Sequence, residues 1–309
     1  MQIRKLNHRV GWLVADYLNA SPCGVTPALM AEFLPEGADA ATEERVYAAL
    51  LGGFWGLDPE ASEEDRFIED RYLRPGLRRV DTAVYRNNAY YQAIRIPERA
   101  IGQWQLTHQL YAPYELFLRD DLILTEDLLQ IPAIGYFPED FSYPSVLQDG
   151  REWMSIKPSE IESSQAAIDA AFGRVVTFGL GLGYFAFMAA RKEEVVSVTV
   201  VERDPDVIRL FLEMILPQFS CKDKISVIQS DAFDYLEHDM KSISPDFVFM
   251  DIWHDISDGV DLYVRARPYE SQFPHTRFTY WIDRSLKCAL IDFLEQESRS
   301  RCETVDATI

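Results

Sequence analysis

The chain is 309 residues long, enough for two domains, and its 48% hydrophobic and 26% charged residues leave ample apolar surface for a folded core. Its 30 basic residues stand against 50 acidic ones, a formal charge of -20 that repels phosphate backbones and anionic lipid alike, so neither nucleic acid nor a membrane is an expected partner. No apolar run reaches the roughly 20 residues of a membrane span, and the start MQIRKLNHRVGWLVADYL breaks its apolar stretch at Asp16 without a small-residue cleavage site, which predicts a cytoplasmic address.

Residues 1–75 read as short helices. TPALMAEFL and ATEERVYAALLGGFWGL space apolar residues three and four apart, each with a Thr, Thr26 or Thr42, placed to cap its start. Residues 58–70 are acidic and read as solvated. From Tyr85 to Tyr143 the chain is rich in Tyr, Pro and Trp, and its runs YYQAIRI, ELFL and DLILT predict strands. Residues 1–150 are therefore expected to form an accessory region, helical over 1–75 and β-rich over 85–150.

The step Asp149-Gly150 between apolar runs predicts a hairpin turn, and SEIESSQAAIDAA after it predicts a helix. From Arg174 short β-rich runs alternate with amphipathic segments. The runs are RVVTF, SVTVVE, KISVIQ, DFVFMD and TRFTYWI, with helices expected near 184–192, 205–216, 232–241, 252–267 and 283–297. Asp204 before Pro205 is a helix start, because Asp caps free amides and Pro suits the first turn. Such alternation implies βαβ units and a mostly parallel sheet from Arg174 onward, within an α/β domain expected over 151–309.

Four features sit at successive strand ends of this region. GLGLG, with Gly179, Gly181 and Gly183, follows the first run and permits a tight turn with close approach of a ligand. Glu202 ends the second run, roughly 20 residues beyond the glycines, where a carboxylate can accept from ribose hydroxyls; Arg203 follows it. Asp231 and Ala232 follow the third run and Asp251 ends the fourth. The first two features also fit a dinucleotide fingerprint, since Gly181, Gly183 and Ala186 satisfy GxGxxA, and it is the last two that separate the alternatives.

Taken together, these strand ends resemble those of the class I S-adenosylmethionine-dependent methyltransferases, over about residues 170–297. The resemblance implies a Rossmann-like parallel sheet with helices on both faces. It implies further that Gly179, Gly181 and Gly183 line the amino-acid part of the cofactor, that Glu202 holds its ribose, and that Asp231 and the Ala232 amide meet the adenine. Asp251 would then face the sulfonium and the substrate. Arg203 joins the expected cofactor residues as the neighbour of Glu202. Thr177 stands where these enzymes often carry an acid, so the cofactor's amino group must find its acceptor elsewhere. The chain also leaves no room for the usual closing hairpin of the sheet.

Methyl transfer from a sulfonium needs an aligned nucleophile and, for a protonated amine or hydroxyl, a nearby base. Asp251 is the first candidate for that base and His254 the second. Asp251, Asp255, Asp258 and Asp261 are spaced to share a helix face for a cationic substrate, unless they answer a helix dipole and solvent instead. Trp253 is either a substrate contact or a packed residue. The expectation is a methyltransferase acting on a small or cationic molecule.

Two alternatives stand beside it. The turn LQDG followed by strand and helix is similar to spermidine synthases, which implies aminopropyl transfer, although Ser159-Glu160 and DIWHD depart from that family's runs. The other alternative is a cofactor-binding module without catalysis. Cys23, Cys221, Cys288 and Cys302 lie far apart with no CxxC pair, so neither a metal site nor a disulfide framework is expected. The oligomeric state is open, with a homodimer among the options.

Overall fold

The computed structural model describes the backbone of residues 3–306 and the side chains of residues 3–294. The chain divides into two compact units: 1–98, 106–145 and 155–163 form the first, and 99–105, 146–154 and 164–309 the second. Among the described residues no helix is long and apolar enough to cross a membrane.

The first unit opens with helices Ile3–Ala20, Pro27–Phe33 and Ala40–Phe54. Thr26 caps the second of these, accepting from the Leu29 amide at 3.1 Å. The third is capped by Asp39 rather than Thr42, whose own N–H donates to Asp39 Oδ1 at 2.8 Å. Tyr47 of that helix stacks on Tyr136 with ring centroids 3.9 Å apart, inside a core that includes Leu6, Val10, Leu51 and Tyr72.

Segment 58–70 is mostly exposed, as its acidity predicts, with two buried exceptions. It holds the helix Glu63–Ile68, capped by Ser62, and it buries Asp65 and Ile68. Arg9 explains how an acid can be tolerated there, since its guanidinium reaches Glu64 and Asp65 at 2.6 Å each. The run YYQAIRI is also not a strand, because Asn88 accepts from the Tyr90 amide and starts the short helix Ala89–Ala93. ELFL and DLILT shrink to the two-residue strands Phe117–Leu118 and Ile123–Leu124.

A four-stranded sheet follows, in the order Arg99–Ile101, Trp104–Tyr111, Phe141–Gln148, Arg151–Ser155. Asp149 and Gly150, with φ of 50° and 77°, form the two-residue connection between the last two strands. Positive φ at both positions is what a type I′ hairpin turn requires, and Asp-Gly supplies it cheaply.

In the second unit the parallel sheet is built from β1 (Gly173–Phe178), β2 (Val195–Glu202), β3 (Ile225–Gln229), β4 (Phe247–Met250) and β5 (Arg277–Tyr280). Helices α1 (Tyr184–Ala190), α2 (Pro205–Leu210), α3 (Ala232–His238), α4 (Ile256–Ala266) and α5 (Asp283–Asp306) follow the strands in turn. The order is β3-β2-β1-β4-β5 with every pair parallel. This is the Rossmann-like α/β architecture, in which ligands bind beyond the carboxyl ends of the strands where the order reverses.

The pattern follows from burial. β4 is buried at all four positions and β1 at its last four, and apart from the buried Thr177 these positions are apolar, as in central parallel strands. Val176, Phe178, Met250, Tyr263 and Leu286 pack together in the core of this unit. Asp204 caps α2, accepting from the amides of Asp206 and Val207. Among the described residues the sheet ends at β5, so it is shorter than a sheet closed by a hairpin.

Candidate functional site

The parallel sheet brings the ends of β1, β2, β3 and β4 to one rim. Gly179, Gly181 and Gly183 have φ of 95°, 49° and 74°, so the β1–α1 loop uses the left-handed region three times in five residues. At Gly179 the need is one of space as well. A Cβ there would lie 1.9 Å from the backbone oxygen of Asp251, because the ends of β1 and β4 touch. At Gly183 the neighbour is the Phe211 ring, 2.4 Å from such a Cβ. Two of the three glycines are thus demanded by the protein's own packing.

Gly181 differs. A Cβ on it would meet the thioether of Met154, with Sδ at 3.0 Å, a side chain of the Asp149-Gly150 hairpin and not of the α/β repeat. Met154 therefore lies over the middle of the glycine loop.

Glu202 ties the loop to the end of β2. Its Oε2 accepts from the Leu180 amide at 3.2 Å, and its Oε1 accepts from the amides of Arg203 and Asp204 at 2.8 and 2.9 Å. A carboxylate offers about four acceptor positions, so three backbone donors leave room for one more. The sequence pointed to two ribose hydroxyls at this carboxylate; the geometry leaves it one open position. The Arg203 side chain is exposed, and it is the backbone N–H of this residue that joins the network.

β3 ends beside them, with the Ser230 amide donating to the Glu202 carbonyl at 3.0 Å. Asp231 caps α3, taking the Phe233 and Asp234 amides at 2.9 and 3.3 Å on Oδ1 alone. Its exposed side chain thus serves the fold with one oxygen. Ala232 is the first residue of α3 and half-buried. Thr177, only 2% exposed, is enclosed within β1 beneath the loop.

After β4, Asp251 is half-buried and its N–H donates to the Phe178 carbonyl at 3.0 Å. Helix α4 starts only at Ile256, so Asp251 is not on it and the shared acidic face does not form. Asp255 and Asp258 instead make a capping box: Asp255 accepts from the Ser257 amide at 2.6 Å, and Asp258 accepts from the Asp255 amide at 2.9 Å. The bond with Ser257, opposed by partial burial, holds the Asp255 carboxyl below its ordinary range. Asp261 lies exposed further along the helix.

Trp253, 4% exposed, is packed beneath α4 near Tyr280, and its Nε1 has no hydrogen-bond partner. His254 is exposed, and its N–H donates to both carboxylate oxygens of Asp258 at 3.1 Å. Its ring stacks on Trp153 at 5.7 Å and 22°, with Nδ1 3.1 Å from the Trp153 carbonyl oxygen. Trp153 and Met154 are the residues that sequence reasoning missed. The Asp149-Gly150 step announced their hairpin, but nothing local told which rim it would cover.

The glycine loop is thus joined to Glu202 through the Leu180 amide and to the Asp251 backbone at Gly179, Asp231 follows the end of β3, and the ring contacts of His254 are with Trp153. Among the described residues no cluster of His, Cys, Asp and Glu is able to hold a metal ion. The rim can accept hydrogen bonds at Glu202 and Asp231, and the exposed His254 imidazole stands against Trp153.

No protein-family model and no curated protein matches the chain. Among solved structures it is similar to a protein described as an O-methyltransferase from Klebsiella pneumoniae, at 17% identity over 33% of this chain and 46% of that one, with a TM-score of 0.27. It is also similar to a spermidine synthase in complex with the transition state analogue AdoDATO, at 12% identity over 48% of this chain and 56% of that one, with a TM-score of 0.33. The spermidine synthase of Thermotoga maritima is 13% identical over the same shares, with a TM-score of 0.32. The chain thus spans between 46% and 56% of the length of these structures.

Proposed function

We propose that the chain is an S-adenosylmethionine-dependent transferase, and specifically a methyltransferase of a small molecule. The observation that carries this reading is Glu202, preorganised by three backbone amides at the strand end next to the glycine loop, with one acceptor position left. The residues fit an adenosyl ligand: a ribose hydroxyl can donate to Glu202, an adenine amine to the free oxygen of Asp231, and the Ala232 amide can donate to the ring.

Bound S-adenosylmethionine supplies a methyl group already activated by a positive sulfur. The chain's part is then to bind, orient and move one proton. The Asp251 backbone meets Gly179 at the loop, and Asp251 and His254 are the two candidate bases. The charge of -20 suits a small neutral or cationic substrate and neither nucleic acid nor a membrane, in keeping with a cytoplasmic enzyme.

One observation favours a second reading, aminopropyl transfer from decarboxylated S-adenosylmethionine. The apolar Met154 lies on Gly181, and an apolar cover over the glycine loop would suit a ligand without a carboxylate better than one that carries it. Titration calorimetry with S-adenosylmethionine, its decarboxylated form and NAD separates the readings. Saturable binding of S-adenosylmethionine is expected, preference for the decarboxylated form would reverse the order, and binding of NAD alone would refute both. Release of S-adenosylhomocysteine in a screen of amines and hydroxy compounds would dismiss a purely binding role.

A further inference from the structure

Trp153 belongs to no motif of the α/β repeat, yet it meets His254 twice. Its indole lies nearly parallel to the imidazole, 22° apart, and its carbonyl oxygen is 3.1 Å from Nδ1. A carbonyl oxygen can only accept, so a neutral His254 ring makes this hydrogen bond only with its proton on Nδ1. Nε2 is then left with a lone pair.

The rest of the neighbourhood holds this arrangement in place. The His254 N–H is taken by Asp258, itself fixed in the α4 capping box, so the histidine backbone does not depend on the hairpin. The hairpin in turn is anchored by contacts of its own. Met154 lies on Gly181, the Asp149 amide donates to the Gln103 carbonyl at 2.9 Å, and Trp104 meets Trp153 edge-on at 5.8 Å. His254 is thus fixed through its backbone, its ring plane and one nitrogen.

We propose that Trp153 is a positioning residue that locks His254 in the Nδ1–H tautomer, so that Nε2 takes the proton released by the acceptor in the transfer reaction. The proton's origin rests on the transferase reading; the tautomer does not. As the acceptor's nitrogen or oxygen bonds to the transferred carbon, the carbon–sulfur bond breaks and its electron pair goes to sulfur. The acceptor's N–H or O–H proton passes to Nε2, and the exposed imidazolium returns it to solvent. A base so placed serves an amine or hydroxyl acceptor, whereas a carboxylate acceptor has no proton to give. The substrate class is therefore a protic amine, alcohol or phenol.

Long-range proton–nitrogen correlation NMR on the full chain, labelled at its five histidines and recorded at mildly alkaline pH, tests this directly. The His254 signals are those lost in His254→Asn. A protonated Nδ1 and a bare Nε2 are expected in the wild type. Trp153→Phe, which keeps the stack, should retain that pattern, and Trp153→Ala should mix the tautomers. A wild-type His254 protonated on Nε2, or a single unchanged tautomer in a folded Trp153→Ala, would overturn the proposal; should that variant misfold, the wild-type and Trp153→Phe spectra decide. With an accepted amine or phenol, Trp153→Ala should lower kcat about tenfold or more at unchanged KM for the cofactor, and His254→Asn about a hundredfold. Failure of the transferase reading shows separately, as absent binding of S-adenosylmethionine, whereas failure of this inference shows as an Nε2–H ring in protein that binds it.

Discussion

Glu202 carries more of the rim than a ligand contact would require. Because its carboxylate satisfies the Leu180, Arg203 and Asp204 amides, Glu202→Ala orphans three donors at once. A buried group that loses its partner costs about 1 to 3 kcal/mol; the bonds to Leu180 and Asp204 are part-buried and that to Arg203 is exposed to water, so folding stability should fall modestly and affinity for S-adenosylhomocysteine by about tenfold or more. Calorimetry beside a urea melt checks this, and undiminished affinity in a folded variant would take Glu202 out of the site. The glycines allow a sharper comparison. Gly179→Ala drives a methyl into the Asp251 backbone oxygen, whereas Gly181→Ala meets only a flexible thioether. Both incur the roughly 1 to 2 kcal/mol of left-handed strain, but Gly179→Ala should lose distinctly more stability than Gly181→Ala. Equal urea midpoints would mean that β1 and β4 do not approach as closely as the structure has them.

Among the elements, the start of α4 shows how one sequence pattern admits two readings. Asp251, Asp255, Asp258 and Asp261 have helical spacing, but the helix begins at Ile256, so the spacing belongs to a capping box and not to a binding face. Since Ser257 depresses the Asp255 carboxyl, the ionised form is the one that stabilises the fold. Its contribution is present above the ordinary carboxyl range and is lost as pH falls through the lowered folded value. Asp255→Ala should therefore cost about 0.5 to 2 kcal/mol near neutrality, with wild type and variant converging in strong acid. Urea midpoints at both pH values test it, and a gap that persists in acid would assign the loss to something other than the charge. The β strands of this unit were legible because each is a short run rich in Val, Ile and Phe, with β4 apolar throughout, and Asp204-Pro205 was legible because a cap acts locally. YYQAIRI misled because its Tyr and Ile content suits a strand, while the Asn88 cap and the buried Tyr90 decide for a helical turn. Segment 58–70 is exposed as its acidity suggests, except at Ile68 and at Asp65, whose partner Arg9 lies 56 residues away in sequence, where no local pattern records it.

For the molecule as a whole, order along the chain and order in space diverge in one place. Segments 99–105 and 146–154 group with the α/β unit, and the missed residues Trp153 and Met154 lie in the second of them. Pairing between the strands Trp104–Tyr111 and Phe141–Gln148, distant in sequence, leaves no periodic trace, so the hairpin could be read from Asp149-Gly150 but its neighbours could not. Charge is the property that was fully legible, and it carries a consequence for stability. With 30 cations for 50 acids, every ion pair still leaves an excess of like charge that resists compaction. Exposed pairs such as Arg71 with Asp127 contribute little against it, about 0 to 1 kcal/mol each. Raising the salt concentration from about 0.01 M to 0.15 M shortens the screening length from about 30 Å to 8 Å, which weakens the repulsion across the surface more than it weakens close pairs. The melting temperature should accordingly rise, by about 1 to 2 °C if the relief is near 1 kcal/mol. Calorimetric scans in sodium chloride measure it, and a melting temperature that falls with salt would mean that the ion pairs, such as those joining Arg9 to Glu64 and Asp65, outweigh the net charge.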